Sequence, residues 1–233
     1  MRFDWNDEAD IVEPTQRVMA HGFPMNVIGM WLPESIRKPI SKPSYNMRTV
    51  ELPFLFNNIP SPAPVGATVL DFGCCESRNA LHLASVGYKV YGIDYQADYA
   101  YKHPNITFVK GDMLNVDGQT YGKPVPFYDY IIAISSIEHA GLPAYGNIKI
   151  DPRAPRQIMK IFRKVIKPTG NLILTVPYAD KYEENVFERH YDDIGLSNLF
   201  LDYFKIDKKV IFEQTTPNPW KVACIVGSPI SSS

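Results

Sequence analysis

Asp71, Asp94, Asp112, Glu138 and His139 each stand at or near the end of a short apolar run, where a folded chain can gather them into one crevice. Their types set the chemistry open to them. A carboxylate offers only hydrogen-bond acceptors, so Asp94 suits the paired hydroxyl donors of a ribose. Asp112, in "GDM", suits an amino group on a planar base, with Met113 packing on the ring. A neutral imidazole titrates near pH 6.5, so His139 can take a proton close to neutrality, with Glu138 or His190 to orient it. His190, in "FERHYDD", can return over the same place from a later loop. The same three residues, Glu138, His139 and His190, could instead hold a divalent metal. Bland roles stand beside these: Asp71 can simply cap a turn, and His139 can simply pack.

The stretch "VLDFGCCES", residues 69–77, sharpens the question. It reads as a buried strand running into a turn with a single glycine, Gly73. Asp94 follows Gly73 by 21 residues (94 − 73), a spacing that suits an acidic contact to ribose after a nucleotide-binding turn. A dinucleotide would also need glycines that let the backbone approach its pyrophosphate. Cys75 and Ser77 occupy those places, so the turn favours a nucleoside with a small, phosphate-free tail. Neighbouring cysteines are too close for an ordinary disulfide, and Cys74 and Cys75 read as small fillers. His21, His82 and His103 fall in no pattern, and the lysines and arginine between 160 and 167 read as a solvated helix face.

Composition narrows the partners. The chain has 233 residues and a formal net charge of -1, without the basic excess of a nucleic-acid binder. It has no apolar run long enough for a membrane span. The start, "MRFDWNDEAD", lacks the apolar core of a signal peptide, and a cytoplasmic location is expected. Nine of the 20 prolines precede Gly66. Residues 1–66 therefore read as a loop-rich extension, with one apolar piece at "VELPFLF", that covers the site formed by residues 67–233.

From residue 67 strands and helices alternate. "ATVLDF", "YKVYGIDY", "NITFVKGD", "YDYIIAISS" and "NLILTVPY" read as strands. Ile158, Ile161, Phe162, Val165 and Ile166 share one face of a helix that Pro168 and Gly170 are expected to end. "DDIGLSNLFLDY" reads as a helix, and "FKIDKKVIFEQ" with "KVACIVGS" as a closing antiparallel hairpin. The predicted fold class is α/β: a doubly wound, mostly parallel, seven-stranded sheet. In such a sheet ligands bind beyond the carboxyl ends of the strands, where the chemical residues lie.

Over residues 67–177 the sequence resembles the class I S-adenosylmethionine-dependent methyltransferases. "VLDFGCCES" is similar to the family's first motif, though it keeps one glycine where the family carries two or three. "VYGIDY" resembles its ribose-binding motif and "KGDM" its adenine-binding motif, followed by "YDYIIAISSIEH" and "GNLILTVP" in the usual order. The resemblance implies a Rossmann-like methyltransferase fold and S-adenosyl-L-methionine as cofactor, held by Asp71, Gly73, Ser77, Asp94, Tyr95, Asp112, Met113 and Ser135. Catalysis would fall to His139 with Glu138 and His190, a divalent metal being the less favoured alternative. "SSIEHAGLPAYG", "ERHYDD" and "KVACIV" resemble a subgroup that modifies sugars and polysaccharides. The expected acceptor is thus a small molecule, first of all a hydroxyl of a sugar or nucleotide-linked sugar. The alternatives are another metabolite, a protein side chain, or a silent member that binds the cofactor and acts as an interaction partner.

Overall fold

Strands buried on both faces need continuous apolar sequence, and the central strands have it. They are β2 (Thr68–Phe72), β3 (Lys89–Asp94), β4 (Ile106–Lys110), β5 (Tyr128–Ile134) and β6 (Ile166–Pro177). The computed structural model describes residues 2–4, 46–75, 78–95, 101–115, 127–146, 150–215 and 219–231. The remaining elements are β1 (Arg2–Asp4), β7 (Glu183–Glu184), β8 (Arg189–His190), β9 (Phe204–Gln214) and β10 (Trp220–Pro229), with helices α1 (Arg48–Asn57), α2 (Asn79–Ser85), α3 (Ala154–Val165) and α4 (Asp193–Phe200).

The main sheet runs β1-β9-β10-β6-β5-β2-β3-β4. Strands β2 to β6 are mutually parallel, and β10 is antiparallel to both β6 and β9. This is the doubly wound sheet with a closing hairpin that the sequence predicts. One strand is added: β1 pairs parallel with β9 at the outer edge. The chain steps from β2 outward through β3 to β4, then returns to β5 on the other side of β2. That reversal opens the crevice at the carboxyl ends of β2 and β5.

Alternation along each strand divides the core in two. Leu70, Ile131 and Ala133 face Phe162, Val165 and Leu199 of α3 and α4. Val69, Ile132 and Ile134 belong with Val50, Phe54 and Leu55 of α1 and Leu83 of α2. The helical face read from the sequence holds, since Ile158, Phe162, Val165 and Ile166 are buried.

The end of α3 differs from expectation. Ile166 is already extended, so the helix stops at Val165 and passes straight into β6. Pro168 and Gly170 lie within the strand, where pairing jumps from Tyr128↔Ile166 to Tyr130↔Asn171. The irregularity holds Lys167, whose Nζ is 2.8 Å from both carboxylate oxygens of Asp129, so this lysine is not simply solvated.

"VELPFLF" is helical despite Pro53, which lies inside α1. Burial of Val50, Phe54 and Leu55 against the sheet offsets the missing backbone donor. Of residues 1–66, most of 1–45 lies outside the described residues, and the expected cover there with it.

Helix α1 is fastened by one charged side chain. Glu51 is fully buried, and its Oε1 accepts hydrogen bonds from Ser135 Oγ and, at 2.6 Å, from Thr175 Oγ1. Arg48 Nη1 donates to Glu51 Oε2 and to the carbonyl of Ile134, each at 3.1 Å. Hydrogen bonds to a buried charge are worth about 1.5–3 kcal/mol each. Glu51→Ala leaves the buried Thr175 hydroxyl and the partly buried Ser135 hydroxyl without their acceptor and should cost about 3 kcal/mol. A urea midpoint measurement checks this: Glu51→Gln, which keeps a carbonyl acceptor, should lose less than half as much, and equal losses would contradict the assignment.

Candidate functional site

The crevice at the ends of β2, β3 and β5 holds a cavity of about 490 Å³, within the range of small-molecule and cofactor sites. Asp71, Gly73, Asp94, Tyr95, Asp112, Met113, Ser135 and His139 all line it. Ser77 lies outside the described residues. Glu138 and His190 are not among its lining.

The turn after β2 works with one glycine because its neighbours absorb the rest. Gly73 has a φ of +68°, and a Cβ there would sit 2.5 Å from Ser136 Oγ. No larger residue fits. Cys74 is buried and tucks inward toward Gly92 of β3, where a Cβ would meet its sulfur at 2.9 Å. Cys75, also at positive φ, donates its N–H to Asp94 Oδ2 at 2.9 Å. The ribose candidate is thereby tied to the turn, while Asp112 Oδ1 accepts from the N–H of Leu114.

Asp71 is buried, and its Oδ2 has no hydrogen-bond partner. Burial, with Asp94 nearby, pushes its pKa up to about 8, offset in part by Arg48 and by the N–H of Ala80. An orphaned carboxylate oxygen at a cavity wall suits a cationic group in the ligand. Arg48, also in the lining, supplies positive charge from α1.

His139 is set for a defined protonation state. Its Nδ1 lies 2.7 Å from the carbonyl oxygen of Phe187. A carbonyl only accepts, so Nδ1 carries the proton and Nε2 keeps a lone pair. Burial lowers the pKa of the ring below its ordinary value, despite a raising contribution from the Phe187 carbonyl. Glu138 Oε1 is 3.7 Å from Nε2, beyond hydrogen-bond reach. The Glu138 carboxyl is fully buried, which raises its pKa well above the usual range, and its Oε2 has no partner. Burial thus favours its neutral form.

His190 does not reach His139; its Nε2 lies 2.9 Å from Glu188 Oε1. The loop that carries it brings Phe187 instead. Among the described residues no three His, Cys, Asp or Glu side chains are grouped to hold a metal ion, so the Glu138, His139 and His190 triplet is not assembled. Arg189 fixes the loop, donating through Nη1 to the carbonyls of Glu138 and Ala140. Tyr145, another lining residue, has a φ of 54° although it is not glycine, a conformation that costs about 1–3 kcal/mol and gathers at working sites.

The sequence did not mark Arg48, Glu51, Tyr145 or Phe187. Arg48 and Tyr145 carry only their residue types as signals, and the contribution of Phe187 to His139 is a backbone carbonyl, which no residue type reveals.

Residues 48–204 match the family model described as "Methyltransferase domain". None of the curated proteins matches the chain. Solved structures share the fold at low identity. A protein from Pyrococcus horikoshii is 20% identical, with 78% of this chain and 89% of that one covered and a TM-score of 0.54. A SAM-dependent methyltransferase from Methanosarcina mazei is 17% identical, covering 77% and 98%, with a TM-score of 0.57. The 1,6-didemethyltoxoflavin-N1-methyltransferase of Burkholderia thailandensis, solved with bound 1,6-didemethyltoxoflavin and S-adenosylhomocysteine, is 14% identical over 72% of each chain, with a TM-score of 0.56.

Asp71 makes the free protein sensitive to pH in a definite direction. Its pKa is 3.8 when unperturbed and about 8 in the fold, so between those values the folded state holds a proton that the unfolded state has lost. Stability is then fullest below 3.8 as far as this group is concerned and falls as pH rises toward 8. Asp71→Asn should flatten that part of the stability curve, measured by urea unfolding at pH 5, 6, 7 and 8 without ligand. An unchanged slope would contradict the burial of an unpaired carboxyl.

Proposed function

The chain belongs to the methyltransferase-domain family, and we propose that it uses S-adenosylmethionine to methylate a hydroxyl group of a small molecule. A sugar or nucleotide-linked sugar is the first candidate acceptor, on the strength of "SSIEHAGLPAYG", "ERHYDD" and "KVACIV". The observation that carries the reading is the setting of His139: a ring in the cavity wall whose Nδ1 is committed to the Phe187 carbonyl, which leaves Nε2 as the basic nitrogen.

The residues present fit the cofactor. Asp94 would accept from ribose hydroxyls and Asp112 from the adenine amino group, with Met113 packing on the base; their positions in the cavity lining support this. The orphaned oxygen of Asp71 suits the ammonium of the methionine moiety, and Arg48 its carboxylate. Gly73 lets the backbone turn sharply between Asp71 and that moiety. Bound S-adenosylmethionine supplies an electrophilic methyl group on a sulfonium centre.

His139 does the work that a hydroxyl acceptor requires. A hydroxyl is a poor nucleophile until its proton leaves, and Nε2 can receive that proton. The Phe187 carbonyl holds the tautomer and the ring plane. Burial favours the neutral form of both groups, raising the pKa of Glu138 and lowering that of His139, so the ring is held toward its basic form. Glu138 and His190 are positioning candidates at most, since neither enters the cavity lining.

Calorimetry with S-adenosylhomocysteine, followed by a methyl-release assay on sugar nucleotides, tests the proposal. Asp94→Ala should weaken S-adenosylhomocysteine at least about tenfold, as loss of charge-assisted hydrogen bonds implies. His139→Ala should lower kcat by about 10²–10⁴ with that affinity unchanged. The acid limb of the wild-type rate should lie below pH 6.5, the ordinary imidazole value, because the shift is downward. A His139→Ala enzyme that keeps most of its turnover would remove base catalysis and leave positioning alone.

A further inference from the structure

His139 is flanked by two aromatic rings that the reaction as described does not use. Its ring centroid lies 5.1 Å from that of Tyr145 and 4.7 Å from that of Phe187, and the latter two are 5.2 Å apart. The three form one continuous aromatic group. Tyr145 remains 52% exposed and Phe187 44% exposed, with Val186 beside them more open still. Scattered apolar residues at a surface need no explanation, but a cluster that begins at His139 and Tyr145 in the cavity lining and runs outward to Phe187 does.

The group is also held in place. Tyr145 keeps a left-handed backbone on the loop after β5. Phe187 sits at the tip of the β7–β8 hairpin, where Asn185 Oδ1 accepts from the N–H groups of Phe187 and Glu188 at 2.7 and 2.9 Å. Arg189 anchors that hairpin to the segment carrying His139. Two fixed, solvent-facing rings beside a base form a surface for a flat ligand, since aromatic faces attract the edges of other rings and the C–H faces of sugars.

We infer that Tyr145 and Phe187 form the acceptor platform, taking a ring-bearing acceptor with one apolar face and directing its hydroxyl to Nε2 of His139. The inference rests on the methyl-transfer reading and narrows it: open-chain alcohols lack the face that the platform grips. A pyranose and an aryl ring share that chemistry. Position relative to the base, more than total affinity, is what the platform determines.

Saturation-transfer NMR on the protein loaded with S-adenosylhomocysteine tests this, with methyl β-glucopyranoside, phenol and the open-chain sorbitol as probes. At least one ring compound should bind and sorbitol should not; which of the two binds separates a sugar platform from an aryl one. Tyr145→Ala and Phe187→Ala should each weaken the bound ring by about three- to tenfold, the effect of losing one stacking face. Tyr145→Phe should restore it. Phe187→Ala retains the backbone carbonyl that holds His139, so its effect reports the ring alone. S-adenosylhomocysteine affinity should be unchanged in all three variants, which also shows them folded. Equal binding of sorbitol, or ring binding indifferent to both alanine variants, would overturn the platform while leaving methyl transfer intact. Failure of S-adenosylhomocysteine to bind the wild type would overturn both.

Discussion

Everything at the crevice depends on Glu51. It is a buried carboxylate whose acceptors are taken by two hydroxyls and a guanidinium from three different elements. Ser135 follows β5 with a φ of 44°, so the chain leaves that strand in a conformation that costs free energy without support. The bonds from Ser135 Oγ to Glu51 and from its N–H to Thr175 supply the support. With Ser135 fixed, Ser136 packs against Gly73 and His139 is carried into the cavity. The same carboxylate holds Arg48 at the cavity wall. Helix α1 is therefore part of the site and not only a cover for the sheet.

The cavity itself holds its charge at a cost. Asp71 and Glu138 are both buried with an oxygen left unpartnered, and both are driven toward the neutral form. They play opposite parts. Asp71 lines the cavity with an oxygen that a cationic ligand group would satisfy. Glu138 lies outside the cavity lining beside His139, whose pKa burial lowers against the raising contributions of the Phe187 carbonyl and Glu188. Two carboxyls of similar burial thus divide the work by which side of the wall they face.

Much of this was legible in the sequence. The strands and the doubly wound fold class followed from apolar runs alternating with helical spacing, and Asp71, Asp94, Asp112 and His139 were picked out as candidates by their places at or near strand ends. What escaped notice depends on contacts distant in sequence or on the backbone. "VELPFLF" read only as an apolar piece of a loop-rich extension, because the packing of Val50, Phe54 and Leu55 that makes it helical despite Pro53 is set by the fold. Arg48 and Glu51 meet Ser135 and Thr175 only through the fold. His190 was the polar residue expected over the site, yet the group that reaches His139 is the carbonyl of Phe187. Helix α3 was expected to end at Pro168 and Gly170, but the pairing of Ile166 with Tyr128 begins β6 without a turn.

On this reading Asp71, held toward the neutral form in the free protein, ionises to receive a cationic ligand group. Titration of S-adenosylhomocysteine at pH 7 in two buffers of different ionisation enthalpy measures this directly. The account predicts binding with release of about one proton per site, absent in Asp71→Asn. Binding of the nucleoside with no proton released from the wild type, or no binding at all, would contradict it.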